Sequence, residues 1–265
     1  MKKITLLYIA LGTLCCINSI KTNNHPTFVF AHGFADTGLQ ALPYSSIFTN
    51  QFKTFNFPDA TNKFWRVNFS KSALGQTLEI KHLSEKLQAQ SLNNTKFTCI
   101  GVGVSRGATV WLNYMGTHPS NDSVKALILE SPPDDMNKAI PKILGKVFAK
   151  YDPRGIQSCD VIKNIPTTLP ILIIGIKNDH RVPYESTLEV YRLLKLTGNP
   201  NVHFLTFEQG KHAFLMKDSK WIKQKKDYIN VVHAFYKKYG FNYNPDFADQ
   251  GAKLFAQTQP FLKHN

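Results

Sequence analysis

The stretch Gly101-Val102-Gly103-Val104-Ser105-Arg106-Gly107 constrains this chain more than any other. A β-rich run, Lys96 to Ile100, enters it, and an apolar run with helical spacing, Ala108 to Met115, leaves it. Gly103 and Gly107 flank Ser105 at two positions either side, in the pattern G-x-S-x-G. Without Cβ atoms at those positions a strand and a helix can cross closely. A serine on so tight a turn has a strained backbone, and its hydroxyl stands clear of the sheet at the positive end of a helix. Ser105 is therefore the candidate nucleophile.

A serine hydroxyl near neutral pH is a poor nucleophile, so a base must take its proton and a third group must orient the base. Pro170 to Ile176 reads as a buried strand, and Asp179 lies just past its C-terminal end, where open α/β sheets carry their active groups. A helical stretch from Tyr184 to Leu196 and a strand from Val202 to Phe207 follow. Directly after that strand, His212 sits in a glycine-containing loop. Ser105, Asp179 and His212 are the three catalytic candidates, each at a different strand end. Thr27 to Ala31 forms a further short strand ending in His32-Gly33-Phe34. That loop can aim the Phe34 amide at a developing oxyanion, and the Arg106 amide is the second expected donor. The His32 side chain is read as a brace for its loop.

Other residues compete for these roles. Asp134 and Asp135 follow the strand Val124 to Leu129, and Asp152 lies further on. His180 is read as a loop residue, His203 as structural within its strand, and Glu208 as the partner of a nearby lysine. The Arg106 side chain is expected in solvent at the helix top; the alternative places it near the pocket, where it would favour an anionic group. Phe34, Trp111, Tyr184 and Phe214 are candidate walls of an apolar acyl pocket, with core packing an equal reading for Trp111.

The motifs resemble those of the α/β-hydrolase-fold serine hydrolases over roughly Pro26 to Tyr239. The resemblance is carried by His32-Gly33-Phe34, Gly103 to Gly107, Asp179 with Val182-Pro183, and Gly210 to His212, in the order Ser, Asp, His. It implies an α/β fold: a mostly parallel, doubly wound sheet with helices on both faces and a small cap, here the insertion 132–169. The antiparallel strand pair with which many members begin is expected to be missing before Thr27. The resemblance also implies hydrolysis of a carboxylic ester or thioester through an acyl-enzyme on Ser105, without a cofactor. A small peptidase or amidase of the prolyl-oligopeptidase type is the nearest variant, because Asp-x-x-Val-Pro and Gly-x-His occur there too. The reading from another class is an exported binding protein that keeps the fold without catalysis. Such a relative would usually lack a triad residue, and none is missing here.

A length of 265 residues with 43% hydrophobic content fits a single domain, 23–265, with an ample core. Met1-Lys2-Lys3 followed by the apolar run Ile4 to Ile17 reads as a secretory signal peptide over 1–22, cleaved between Cys16 and Asn24; an uncleaved membrane anchor is the alternative. Export would leave Cys99 and Cys159, either free or paired. No zinc-type spacing exists, and no metal site is expected. The formal charge of +14 is read as a lysine-rich solvated surface, compatible with weak association with anionic surfaces. Nucleic-acid binding has no motif in its favour, and the partner that the resemblance implies is a small-molecule acyl substrate. Elsewhere, Leu39 to Phe52 reads as a helix or irregular loop, and Phe64 to Phe69 as a strand. Leu74, Leu78, Leu83 and Leu87 mark an amphipathic helix. Helices are also expected over Met136 to Ala149 and Trp221 to Tyr239, with a short added helix or a frayed tail after Phe241.

Overall fold

The computed structural model describes residues 25–57, 75–144 and 155–258. The leader, the strand expected at Phe64 to Phe69, Leu74, Asp152 and the far end of the helix expected to reach Ala149 lie outside the described residues. Strands β1 (Thr27–Ala31), β2 (Phe52–Phe55), β3 (Cys99–Val104), β4 (Val124–Glu130), β5 (Ile171–Ile176) and β6 (Val202–Phe207) form one sheet in the order β2-β1-β3-β4-β5-β6. Every described pairing is parallel. The helices are α1 (Thr77–Asn93), α2 (Arg106–Thr117), α3 (Met136–Leu144), the single turn α4 (Ser158–Val161), α5 (Tyr184–Leu196), α6 (Ile222–Lys238) and α7 (Pro245–Ala256). Among the described residues, no helix is long and apolar enough to cross a membrane.

The parallel sheet is buried on both faces, and the period of two along each strand decides which core each residue joins. Val29, Cys99, Leu127, Leu129, Ile171 and Ile173 pack with α1, α2 and α5. Phe28, Phe30, Ile100, Val102, Ile128 and Leu172 pack with α6 and the 3₁₀ segment Gly38–Ile47 on the other face. Burying each such branched or aromatic side chain contributes about 1.5–3 kcal/mol, which outweighs the weak helix propensity of any single position.

One segment differs in part from the sequence reading. Leu39 to Phe52, read as a helix or irregular loop, forms the 3₁₀ segment and then enters β2, an unexpected strand that pairs with β1 from Phe28↔Phe52 to Ala31↔Phe55. Only Phe55 of β2 is buried, so its own sequence carries little strand signal and pairing at the sheet edge forms it. The tail takes the first of its two expected forms, a short added helix α7, capped by the Asn244 side chain accepting from the Asp246 and Phe247 amides, with Pro245 in its first turn.

The chain runs from β1 outward to β2, then returns across β1 to β3 and continues to β6. The strand order therefore reverses between β1 and β3, and the loops leaving those two strands diverge there. Open α/β sheets bind ligands at such a reversal. One of these loops carries Phe34; the other carries Ser105.

Candidate active site

Ser105 joins β3 to α2 with φ 53° and ψ −113°, a conformation that costs a non-glycine residue about 1–3 kcal/mol. The surroundings hold it there. Its amide donates to the Glu130 carbonyl at 2.8 Å, and its own carbonyl accepts from the Thr109 amide at 3.0 Å. The flanking glycines provide the clearance. A Cβ on Gly103 would meet the Gly107–Ala108 backbone at 2.6 Å, and one on Gly107 would fall on the Ala31 carbonyl.

Asp179 follows β5 and receives four hydrogen bonds. Its Oδ1 accepts from the Arg181 amide at 2.8 Å and the Val182 amide at 3.0 Å. Its Oδ2 accepts from His212 Nδ1 at 2.7 Å and from Ser131 Oγ at 3.1 Å. Burial alone would raise the Asp179 carboxyl. The hydrogen bond and charge of His212, then the two amides, outweigh burial and hold it below the ordinary carboxylate value. An ionised Asp179 has no proton to give, so Nδ1 carries the hydrogen and Nε2 is the basic atom of His212. The histidine loop is anchored by the Gly210 amide donating to Asn178 Oδ1 at 3.1 Å.

Ser105 and His212 line one cavity of about 220 Å³, together with Phe34, Phe214, Gln40 and Arg181. Phe34 thus lines the same cavity as Ser105, and Arg106 heads α2 immediately after Ser105. His32 braces its loop as expected: Nδ1 donates to the Gly33 carbonyl at 2.8 Å and Nε2 accepts from the Phe57 amide at 3.4 Å. Two residues at the cavity were not read as site residues from the sequence. Gln40 Oε1 accepts from the Gly33 amide at 2.6 Å, and Lys217 Nζ reaches Asp36 at 2.7 Å, tying the histidine loop to the loop after β1. The Lys217–Asp36 pair is part of the wall, where partial exposure makes it worth at most about 1 kcal/mol.

The Arg106 side chain corrects the sequence reading. It is neither in solvent nor at the cavity but 2% exposed, paired with the fully buried Glu79 of α1, and its guanidinium stacks 4.2 Å from the centre of the Phe57 ring. A buried cation is tolerable only with such a carboxylate beside it. Trp111 and Tyr184 do not line the described cavity. Trp111 is core, its Nε1 donating to the Val102 carbonyl, and Tyr184 shares a hydrogen bond with Thr206. Asp134 is engaged by Ser186 and Lys138, and Asp135 accepts from the Asn137 amide. Glu208 pairs with Lys177 at 2.7 Å, His203 bonds Thr258 and Tyr239 inside the fold, and His180 is exposed in its loop. Cys99 and Cys159 are both free thiols, and burial pushes Cys99 up to about 12. Among the described residues, no three His, Cys, Asp or Glu side chains cluster to hold a metal ion.

The prolyl oligopeptidase family model matches residues 145–239, a stretch that includes β5, β6, Asp179 and His212 and leaves out Ser105. No curated protein matches the sequence. Among solved structures, the Pyrococcus horikoshii acylaminoacyl peptidase is similar with a TM-score of 0.61 and 16% identity over 83% of this chain, which spans 38% of that protein. A Pyrococcus furiosus esterase gives 0.62 and 17% identity, covering 81% of this chain and 83% of its own. A Paleococcus ferrophilus monoacylglycerol lipase gives 0.53 and 13% identity, covering 78% and 95%. Identities this low establish likeness of fold. The chain has the α/β-hydrolase fold, as its motifs implied.

Proposed function

We propose that this protein is a serine hydrolase that cleaves carboxylic esters or thioesters of small acyl groups through an acyl-enzyme on Ser105. The observation that carries the reading is the His212–Asp179 hydrogen bond of 2.7 Å beside a cavity that His212 shares with Ser105. In the first step His212 Nε2 takes the Ser105 proton as Oγ attacks the carbonyl carbon. The Phe34 and Arg106 amides stabilise the oxyanion, and Asp179 stabilises the imidazolium. The tetrahedral adduct collapses, and His212 returns the proton to the leaving oxygen or sulfur. Water then repeats the sequence on the acyl-enzyme, releasing the acid and restoring Ser105. The described cavity of about 220 Å³ suits a small acyl group better than a long chain.

A second reading, a small peptidase or amidase, is favoured by the prolyl oligopeptidase match across 145–239. The chemistry is the same and the leaving group differs. Purified protein assayed against p-nitrophenyl esters of graded acyl length and against aminoacyl p-nitroanilides separates the two. Ester turnover that falls with acyl length and vanishes in Ser105→Ala supports the esterase; faster anilide turnover supports the peptidase. A folded protein that turns over neither belongs with non-catalytic binding proteins of this fold. We further propose a single hydrolase domain over 23–265, exported under a leader within 1–22. N-terminal sequencing of the mature protein tests the export, and a chain still starting at Met1 contradicts cleavage.

A further inference from the structure

We propose that Ser131, directly after β4, is a positioning residue of the hydrolytic site: it fixes the Asp179 carboxylate against His212. The proposal rests on the roles given above to Ser105, Asp179 and His212.

Ser131 is 1% exposed and adopts φ 47°, a left-handed conformation that glycine reaches without strain. Its amide donates to the Ile174 carbonyl at 2.8 Å, a bond that glycine would also make. What serine adds is the hydroxyl, and that hydroxyl donates to Asp179 Oδ2 at 3.1 Å. This is the same oxygen that receives His212 Nδ1, while Oδ1 is held by the Arg181 and Val182 amides. The carboxylate therefore cannot turn about its axis without breaking bonds on both oxygens. Strain kept at a strand end for the sake of a hydroxyl on the acid is the pattern of a site, not of a core.

Kinetics on a p-nitrophenyl ester test the role of Ser131, after wild-type labelling by a fluorophosphonate has shown Ser105 to be reactive. If wild type is neither labelled nor active, the hydrolase reading fails and not this one. Ser131→Ala and Ser131→Gly should each lower kcat by roughly tenfold with KM within about twofold, the loss of one hydrogen bond to a charged group. Glycine relieves the strain, so a merely structural serine predicts wild-type kcat in Ser131→Gly, and that result overturns the positioning role.

Discussion

Replacing Asp179 by Asn keeps the shape of the side chain and reverses the proton logic of the site. The Arg181 and Val182 amides point at the Oδ1 position from 2.8 and 3.0 Å and can be met only by an oxygen. The new NH₂ group must then take the Oδ2 position, 2.7 Å from His212 Nδ1. Turning the amide over would set NH₂ against both backbone donors. Each lost bond costs about 1–3 kcal/mol when buried, so roughly 2–6 kcal/mol keeps the flipped form to a few per cent or less. Facing a donor, Nδ1 must accept, so the ring proton moves to Nε2 and the base for Ser105 is gone. The expected fall in kcat is on the order of 10⁴, or about 5.5 kcal/mol of barrier. The assay is steady-state hydrolysis of a p-nitrophenyl ester at pH 8, with a melting curve as the control for folding. Folded Asp179→Asn within tenfold of wild-type kcat would mean that Asp179 does not set the His212 tautomer, and the reasoning would fall.

Three further outcomes follow from packing and charge. Gly107→Ala sets a methyl on the Ala31 carbonyl, backbone against backbone, so no rotamer relieves it; a loss of about 3 kcal/mol is expected in urea unfolding, and wild-type stability would contradict the close crossing. Glu79→Ala strips the buried Arg106 guanidinium of its carboxylate and should cost about 3–5 kcal/mol, whereas replacing both residues by Leu should recover much of it; thermal melts of the single and double variants read the difference. Burial pushes the Glu130 carboxyl up from its ordinary 4.5 to about 7, so its contribution is complete below about 4.5 and is lost as pH rises from there through 7, on the order of 3 kcal/mol in all. The fall in wild-type Tm between pH 5 and pH 8 should therefore flatten in Glu130→Gln, and equal slopes would refute it. Asp179 works the other way, its carboxyl being held low, and its contribution disappears only as pH drops below the ordinary carboxylate range.

The candidates legible in the sequence were those fixed by local chemistry. Ser105 was marked by glycine spacing between a strand and a helix, and Asp179 and His212 by loops directly after apolar runs. Strands β3 to β6 were legible because a parallel strand buried on both faces needs an unbroken apolar run. β2 was not, since three of its four residues are not buried and only pairing with β1 makes it a strand. The Arg106 side chain was misread because its partner, Glu79, lies 27 residues away and meets it only through helix packing. Ser131 and Gln40 left no trace for the same reason. Each acts through one contact, 48 residues away for Ser131 and 7 for Gln40, and no periodicity records such contacts. The chemistry of the site was written locally; the support around it was written in the fold.

The assignment of Ser105 as nucleophile is tested most directly by reaction of the folded protein with a fluorophosphonate, followed by peptide mass spectrometry. One phosphonyl group per chain, on the peptide carrying Ser105 and absent after Ser105→Ala, is the predicted result. A folded protein that stays unmodified at Ser105, or Ser105→Ala protein that still hydrolyses the ester at the wild-type rate, would contradict it.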